Sequence, residues 1–222
     1  MKINTTRLES FSDGVIAIII TIMILALKLP VLDKHITTTA QTVHYLKFLS
    51  PYFITYAFSF MMIGIFWTNH HHMFNLLEKS DVVLLWQNFL FLFVLSLIPF
   101  ATAVVGANPF IPIAPVIYGT VMLLVTLSFV IMRNYSIRHK LVHTDENKAL
   151  TRKIFNVSLR ERTKAMIGMF IYLVSIPLAF VNVYLSYACF IISPVIFFIP
   201  RGINNEKLAE KISAKNVLGI TM

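Results

Sequence analysis

The chain of 222 residues has a single cysteine, Cys189, so no internal disulfide can staple it and no CxxC pair offers a metal or redox site. Charge is scarce as well. Asp, Glu, Lys and Arg make up 13% of the residues, against roughly 25% in soluble domains, too few to wet a globular surface. Glycine numbers 7 and proline 9, far from collagen or from a disordered segment. Gly-x-Ser-x-Gly, a P-loop, Gly-x-Gly-x-x-Gly and HExxH are all missing. These are the local patterns of nucleophilic, phosphate-binding, dinucleotide and zinc chemistry. No enzyme and no cofactor is expected.

What is present is apolar. Residues of the AVILMFWYC set reach 57% and the mean hydropathy is +0.76. A membrane-crossing helix needs about 20 mostly apolar residues at about 1.5 Å each. Six segments qualify: 11–32, 48–68, 82–105, 111–132, 165–184 and 185–200. Only Asn182 and Ser186 mark a turn between the last two. Backbone inside a bilayer must bond to itself, and no period-two alternation suggests a barrel. The expected fold is therefore an all-α membrane protein with six transmembrane helices in a single domain. Lys2 and Arg7 precede the first apolar run, but no small-x-small cleavage site follows it, so it reads as a retained helix and not a signal peptide.

The net charge of +9 reports topology. Sixteen of the 19 Lys and Arg residues fall on one side if the N-terminus is cytoplasmic: two before the first span, one at Lys79, nine between Arg133 and Lys164, and four from Arg201 onward. Lys28, Lys34 and Lys47 remain outside. By the positive-inside rule both termini are cytoplasmic in a multi-pass cell-membrane protein. Residues 133–164 then form a basic cytoplasmic linker and 201–222 a cytoplasmic tail, with a short helix expected over 204–215. Such basic stretches beside a bilayer meet lipid headgroups; no nucleic-acid partner is expected.

The most unusual stretch is Arg7-Leu-Glu-Ser-Phe11-Ser12-Asp13-Gly14-Val15-Ile16-Ala17-Ile18, which sets an acid at the start of a span. Ser12 or Asp13 could cap the helix. Alternatively, Asp13 faces protein and orders a polar network, because intramembrane acids avoid lipid. At about 100° per residue, Ile18 lies about 140° from Asp13. Phe11, Gly14, Ile18, Thr21, Ile22, Leu25 and Leu29 share one face. Asp13, Ala17, Ile20, Ile24 and Leu27 share the other. If the first face lines a pore, the second packs inside the subunit.

The second span ends Trp67-Thr68-Asn69-His70-His71-His72. Consecutive histidines point 100° apart on a helix and do not converge, and metal-ligand pairs on one helix stand at i, i+4, so no metal site is expected. Trp67 is an interface anchor, or else Trp67, Asn69 or His70 donates a hydrogen bond to Asp13. Pro99, Pro177 and Pro194 interrupt the third, fifth and sixth spans, as prolines do in many membrane helices. Glu9, Asp13, Glu78 and Asp81 all lie toward one edge, which leaves no acid chain across the midplane. A Thr-Val-Gly-Tyr-Gly filter and an arginine-rich sensor helix are both lacking.

Arg7, Phe11-Ser12-Asp13 and Gly14-Val15-x-Ala17-Ile18 resemble the signature of the transmembrane protein 175 family of potassium channels. Trp67, His70 and Ile98-Pro99-Phe100 are similar to that family too. The single Phe-Ser-Asp copy resembles its single-repeat prokaryotic members. The resemblance implies a homotetramer whose first helices line a central pore, with potassium as the permeant ion. It implies a filter of apolar side chains at Ile18, Ile22 and Leu25, with Thr21 as a polar layer. It also implies a structural network of Arg7, Phe11, Ser12, Asp13, Trp67, Asn69 and His70 that fixes the first helix against the second. Two other classes stand beside the channel: a secondary transporter of a small cation or solute, for which the broken helices speak, and a non-transporting scaffold.

Overall fold

Helix accounts for nearly all regular backbone in the computed structural model, which describes residues 4–26, 39–142 and 148–198. The helices are α1 (Thr5–Met23), extended by a 3-10 turn over Ile24–Ala26, α2 (Thr39–Asn75), α3 (Val82–Leu95), α4 (Ile98–Ala107), α5 (Ile113–Arg138), α6 (Lys148–Val181) and α7 (Val183–Phe198). Four stretches are long and apolar enough to cross a membrane: Leu46–Asn75, Val82–Ala107, Ile113–Arg138 and Arg162–Val181. The first and last expected spans correspond to α1 and the shorter apolar α7. Residues 27–32 of the first, and the tail with its expected short helix, lie outside the described residues.

Several boundaries differ from the sequence reading. Most of the expected linker is helical, because α5 continues to Arg138 and α6 starts at Lys148. A hydropathy window stops where apolar residues stop, whereas a helix continues as long as its backbone ladder does. The third span is parted into α3 and α4 at Ser96–Leu97. Pro99 has no N–H to give the carbonyl four residues back, so the ladder restarts there, with Ser96 Oγ donating to Phe93 O at 2.7 Å. In α2 the carbonyl that Pro51 leaves free is that of Lys47, and Ser50 Oγ donates to it at 2.7 Å. The last turn falls at Asn182, one of the two residues expected to mark it, slightly before the expected span boundary at 184–185. Asn182 Oδ1 accepts from Tyr184 N at 2.8 Å, starting α7 as a capping side chain does. α6 and α7 then fold back on each other, and Ser193 Oγ donates to Tyr172 OH at 2.7 Å across the pair.

α5 is the central element and packs against α3, α4, α6 and α7. Its buried Tyr118, Met122, Val125 and Phe129 meet Phe91 and Leu95 of α3, Ile98 and Ala101 of α4, and Met62 and Ile63 of α2 in one core. Several polar groups inside it are paired with one another, which offsets the cost of burying them. Ser59 Oγ and Tyr118 OH are 3.0 Å apart, and Thr102 Oγ1 lies 2.7 Å from Ser59 Oγ. Such interhelical bonds contribute roughly 0.6 kcal/mol each within a membrane. At one end the helices are tied further. Asp81 caps α3 through Leu84 N at 2.8 Å and accepts Tyr135 OH of α5 at 2.7 Å. Glu78 N donates to Leu141 O at 2.8 Å just beyond it.

α2 and α4 meet closely at Gly106. A Cβ built there would stand 2.9 Å from Tyr52 Cδ1 and 3.2 Å from Tyr52 Cα. Helix propensity favours Gly→Ala by about 1 kcal/mol, but backbone on the far side cannot yield, and overpacking costs about 1–3 kcal/mol. Gly106→Ala is expected to lower the melting temperature of the detergent-solubilised protein, measured by the loss of its size-exclusion peak after heating. An unchanged or raised melting temperature would show that α2 and α4 can separate freely.

Candidate channel site on the first helix

α1 begins one residue after Asn4, whose Oδ1 accepts from Thr6 N at 2.9 Å and Arg7 N at 3.4 Å. Asn4 is therefore the cap, and Ser12 and Asp13 lie two turns inside the helix. Their capping reading fails because the helix starts at Thr5, six residues before the apolar run that begins at Phe11. Ser12 is fully buried; its Oγ donates to Leu8 O and accepts from Asn88 Nδ2 of α3, both at 2.9 Å. Asn88 Oδ1 in turn lies 2.8 Å from His70 Nε2 of α2. Since the Asn88 amide nitrogen is spent on Ser12, its oxygen accepts, and the neutral His70 ring carries its proton on Nε2. Phe74 and Phe91 stack on that ring with centroids 4.3 and 5.4 Å away. Three helices are thus joined by one buried polar chain.

A second, more exposed set joins α1 to α2. Trp67 Nε1 donates to Asp13 Oδ1 at 2.9 Å, and the indole stacks on His71, 5.7 Å between centroids. Glu9 Oε1 lies 3.0 Å from His71 Nδ1. Glu9 precedes the expected span, and burial pushes its carboxyl above the usual range; His71 opposes the rise and Asp13 adds to it.

Two of the expected network residues stand apart from it. Asn69 Nδ2 donates to Ile65 O of its own helix at 2.9 Å. Arg7 is exposed on the first turn, with no ion pair to Asp13 among the described residues. Phe11 lies on the exposed face and meets Phe89 edge-on at 5.5 Å. Asn88 was missed from sequence although a signal existed: Gln87-Asn88 is the one amide pair inside an otherwise apolar span. Glu9 and His71 were not paired either, because their meeting depends on how α1 and α2 cross.

The face expected to line a pore is open in the subunit: Ile18 is 57% exposed, Ile22 50% and Leu25 76%. Thr21 is exposed too, and its hydroxyl proton is given to Ile18 O at 2.9 Å, which leaves the oxygen lone pairs outward. The core-facing side is not the one the wheel suggested. Leu8, Ser12, Ile16, Ile19 and Met23 are buried, while Ala17 and Ile24 are exposed. Beyond Asp13 nearly every position of α1 is apolar, so hydropathy alone cannot tell an inner face from a lipid or pore face; the polar Ser12 settles it through Asn88.

The subunit is thus an apolar bundle of helices with an exposed apolar stripe on α1, and its likeness to known proteins places it in the class of membrane channels. Residues 7–99 match the family described as Endosomal/lysosomal potassium channel TMEM175. A potassium channel of Chryseobacterium sp. (strain P1-3) is 34% identical over 92% of this chain and 97% of its own. One of Chamaesiphon minutus is 31% identical over 90% and 95%. A crystal structure of a lysosomal potassium-selective channel TMEM175 homolog from Chamaesiphon minutus superposes with a TM-score of 0.68 at 29% identity, covering 86% of this chain and 95% of that one. The chain belongs to the TMEM175 family of potassium channels; it is a membrane channel protein and not an enzyme.

Replacing Asn88 by Leu strands the His70 N–H and removes the acceptor's partner at Ser12, and each orphaned buried group costs about 1–3 kcal/mol. Asn69→Leu removes only a bond within α2. Asn88→Leu is expected to lower thermal stability in detergent clearly more than Asn69→Leu; equal effects would mean that the buried chain contributes nothing to holding the helices.

Proposed function

We propose that four copies of this chain surround a central pore lined by α1, through which potassium passes passively across the cell membrane with modest selectivity. The N- and C-termini face the cytoplasm in this reading. Ile18, Ile22 and Leu25 form successive apolar rings, and Thr21 presents hydroxyl oxygens between them. The observation that carries the proposal is the exposure of three large apolar side chains at i, i+4 and i+7 on the one helix whose opposite face is pinned by Ser12 and Asn88. Lipid could cover such a stripe, but in a channel family a ring of copies that brings four of them to one axis also makes a conduit.

The mechanism follows from hydration. An ion entering an apolar ring sheds part of its water and finds few dipoles in exchange. Potassium holds its water less tightly than sodium, so the barrier is lower for potassium. Thr21 oxygens, their protons already given to Ile18 carbonyls, can replace part of the lost shell. Asp13, tied to Trp67 on a different azimuth, sets the position of α1 and does not touch the permeant ion.

In proteoliposome flux assays, Ile18→Asn is expected to raise cation flux by about tenfold, equivalent to about 1.4 kcal/mol of barrier, and to erase the preference for potassium over sodium. Unchanged flux and selectivity would sink the assignment of Ile18. Asp13→Ala is expected to reduce the yield of assembled tetramer more than it alters ion preference; normal assembly with lost selectivity would contradict the positioning role.

A further inference from the structure

We propose that Glu9, Asp13 and His71 form a binding site for a borderline divalent transition-metal ion of the zinc type, which clamps α1 to α2 at the N-terminal end of α1. Glu9 and Asp13 stand one turn apart on α1, and Trp67 and His71 one turn apart on α2, so the two pairs face each other as a ladder. One ligand atom from each of Glu9, Asp13 and His71 lies within 4.8 Å of the other two. Zinc takes nitrogen and carboxylate ligands at about 2.0–2.2 Å, so small side-chain rotations bring all three onto one ion.

The donor set selects the ion class. One imidazole with two carboxylates suits zinc, cobalt or nickel, whereas magnesium and calcium favour all-oxygen shells with more ligands. His71 Nδ1 is shielded from solvent and 3.0 Å from Glu9 Oε1, yet it makes no well-directed hydrogen bond. The ring nitrogen thus points at the Glu9 carboxylate of the cluster, in a close polar contact that is not a well-directed hydrogen bond. Outer contacts of the kind that orient metal ligands are also in place. Trp67 Nε1–H holds one Asp13 oxygen at 2.9 Å and leaves the other available. The Asn75 amide stands 3.0 Å from His71 Nε2; turned by half a rotation, its oxygen accepts an Nε2 proton and frees the Nδ1 lone pair for the ion. The two carboxylates repel each other and Glu9 is partly desolvated, a strain that a divalent cation relieves. Side-chain exposures of 20% at Glu9 and 42% at His71 leave a route from solvent.

Binding itself stands on these residues alone; the consequence for transport rests on the channel reading above. An ion bridging the two helices would restrain α1, whose other face carries Ile18 and Ile22, and slow conduction.

The test uses the full chain, purified without a histidine tag. Cobalt is followed by its visible absorption and zinc by calorimetry. One ion per chain is expected, with affinity about tenfold or more weaker in Glu9→Gln and in His71→Phe, which keeps the stack on Trp67. Trp67→Phe, which removes only an outer contact, is expected to weaken binding about tenfold, and His72→Ala to leave it unchanged. Size-exclusion profiles confirm that each variant is folded. No saturable binding, or equal binding in wild type, Glu9→Gln and His71→Phe, overturns the site. Zinc is then added to proteoliposomes: slowed potassium flux in wild type but not in His71→Phe supports the clamp. Metal bound with flux unchanged overturns the clamp alone, whereas absence of metal-free flux overturns the channel reading and leaves the binding result standing.

Discussion

Ser12, Asn88 and His70 are wholly buried, and with no water at hand each must find its partner on another helix. That requirement does more than add a few hydrogen bonds. Beyond Asp13, α1 is apolar on almost every side, and hydrophobic burial there is indifferent to which of several isoleucines faces inward. Rotating α1 by one residue, about 100°, would strand Ser12 and the Asn88 amide, each at about 1–3 kcal/mol, and would turn Arg7, or Glu9 and Asp13, toward the core. The polar residues of the first turns therefore choose the rotation of α1. Everything exposed on its other side, Ile18, Thr21, Ile22 and Leu25 included, is a consequence of that choice.

How legible this was in the sequence depends on which forces are local. Spans follow from length and hydropathy, because a bilayer of fixed thickness imposes both: 48–68 lies within α2, 82–105 is divided between α3 and α4, and 111–132 falls almost wholly in α5. The open face of α1 was also legible, since the 3.6-residue period places Ile18, Ile22 and Leu25 together whatever surrounds them. The buried face was not, because it is selected through space by Asn88, 76 residues away. Helix starts were misplaced for a related reason: Asn4 caps a polar first turn that no hydropathy window registers. The histidine run misled in the opposite way. Read as a group it cannot bind anything, yet its members separate to different neighbours, His70 to Asn88 and His71 to Glu9. Divergence on the wheel excluded a shared site and said nothing about sites shared with another helix.

Along the described part of α1 the contacts change in kind from one end to the other. At the end where α1 starts, Trp67 holds Asp13, Asp81 ties α3 to Tyr135, and the segment after α2 pairs with Leu141 and Val142. Side chains there act as cross-links between helices whose carbonyls and N–H groups are otherwise self-contained. Farther along α1 the contacts are apolar, from Ile16 and Ile19 to Met23. Apolar contacts resist separation but tolerate sliding and small rotations better than a directed hydrogen bond does. The polar end is thus the fixed reference against which the apolar stripe is held.

The 3-10 turn over Ile24–Ala26 refines where that stripe ends. On a uniform α-helix, Leu25 would stand about 20° to one side of Ile18 and Ile22 about 40° to the other, at about 100° per residue. A 3-10 segment advances about 120° per residue, and two such steps carry Leu25 round to about 20° on the same side as Ile22. It then falls between Ile18 and Ile22 instead of outside them. Tightening the last described turn narrows the azimuthal spread of the three side chains from about 60° to about 40°, and the most exposed of them, Leu25, lines up with the other two. In the tetramer proposed above, that alignment matters, because a residue displaced to one side would face a neighbouring helix and leave the ring open.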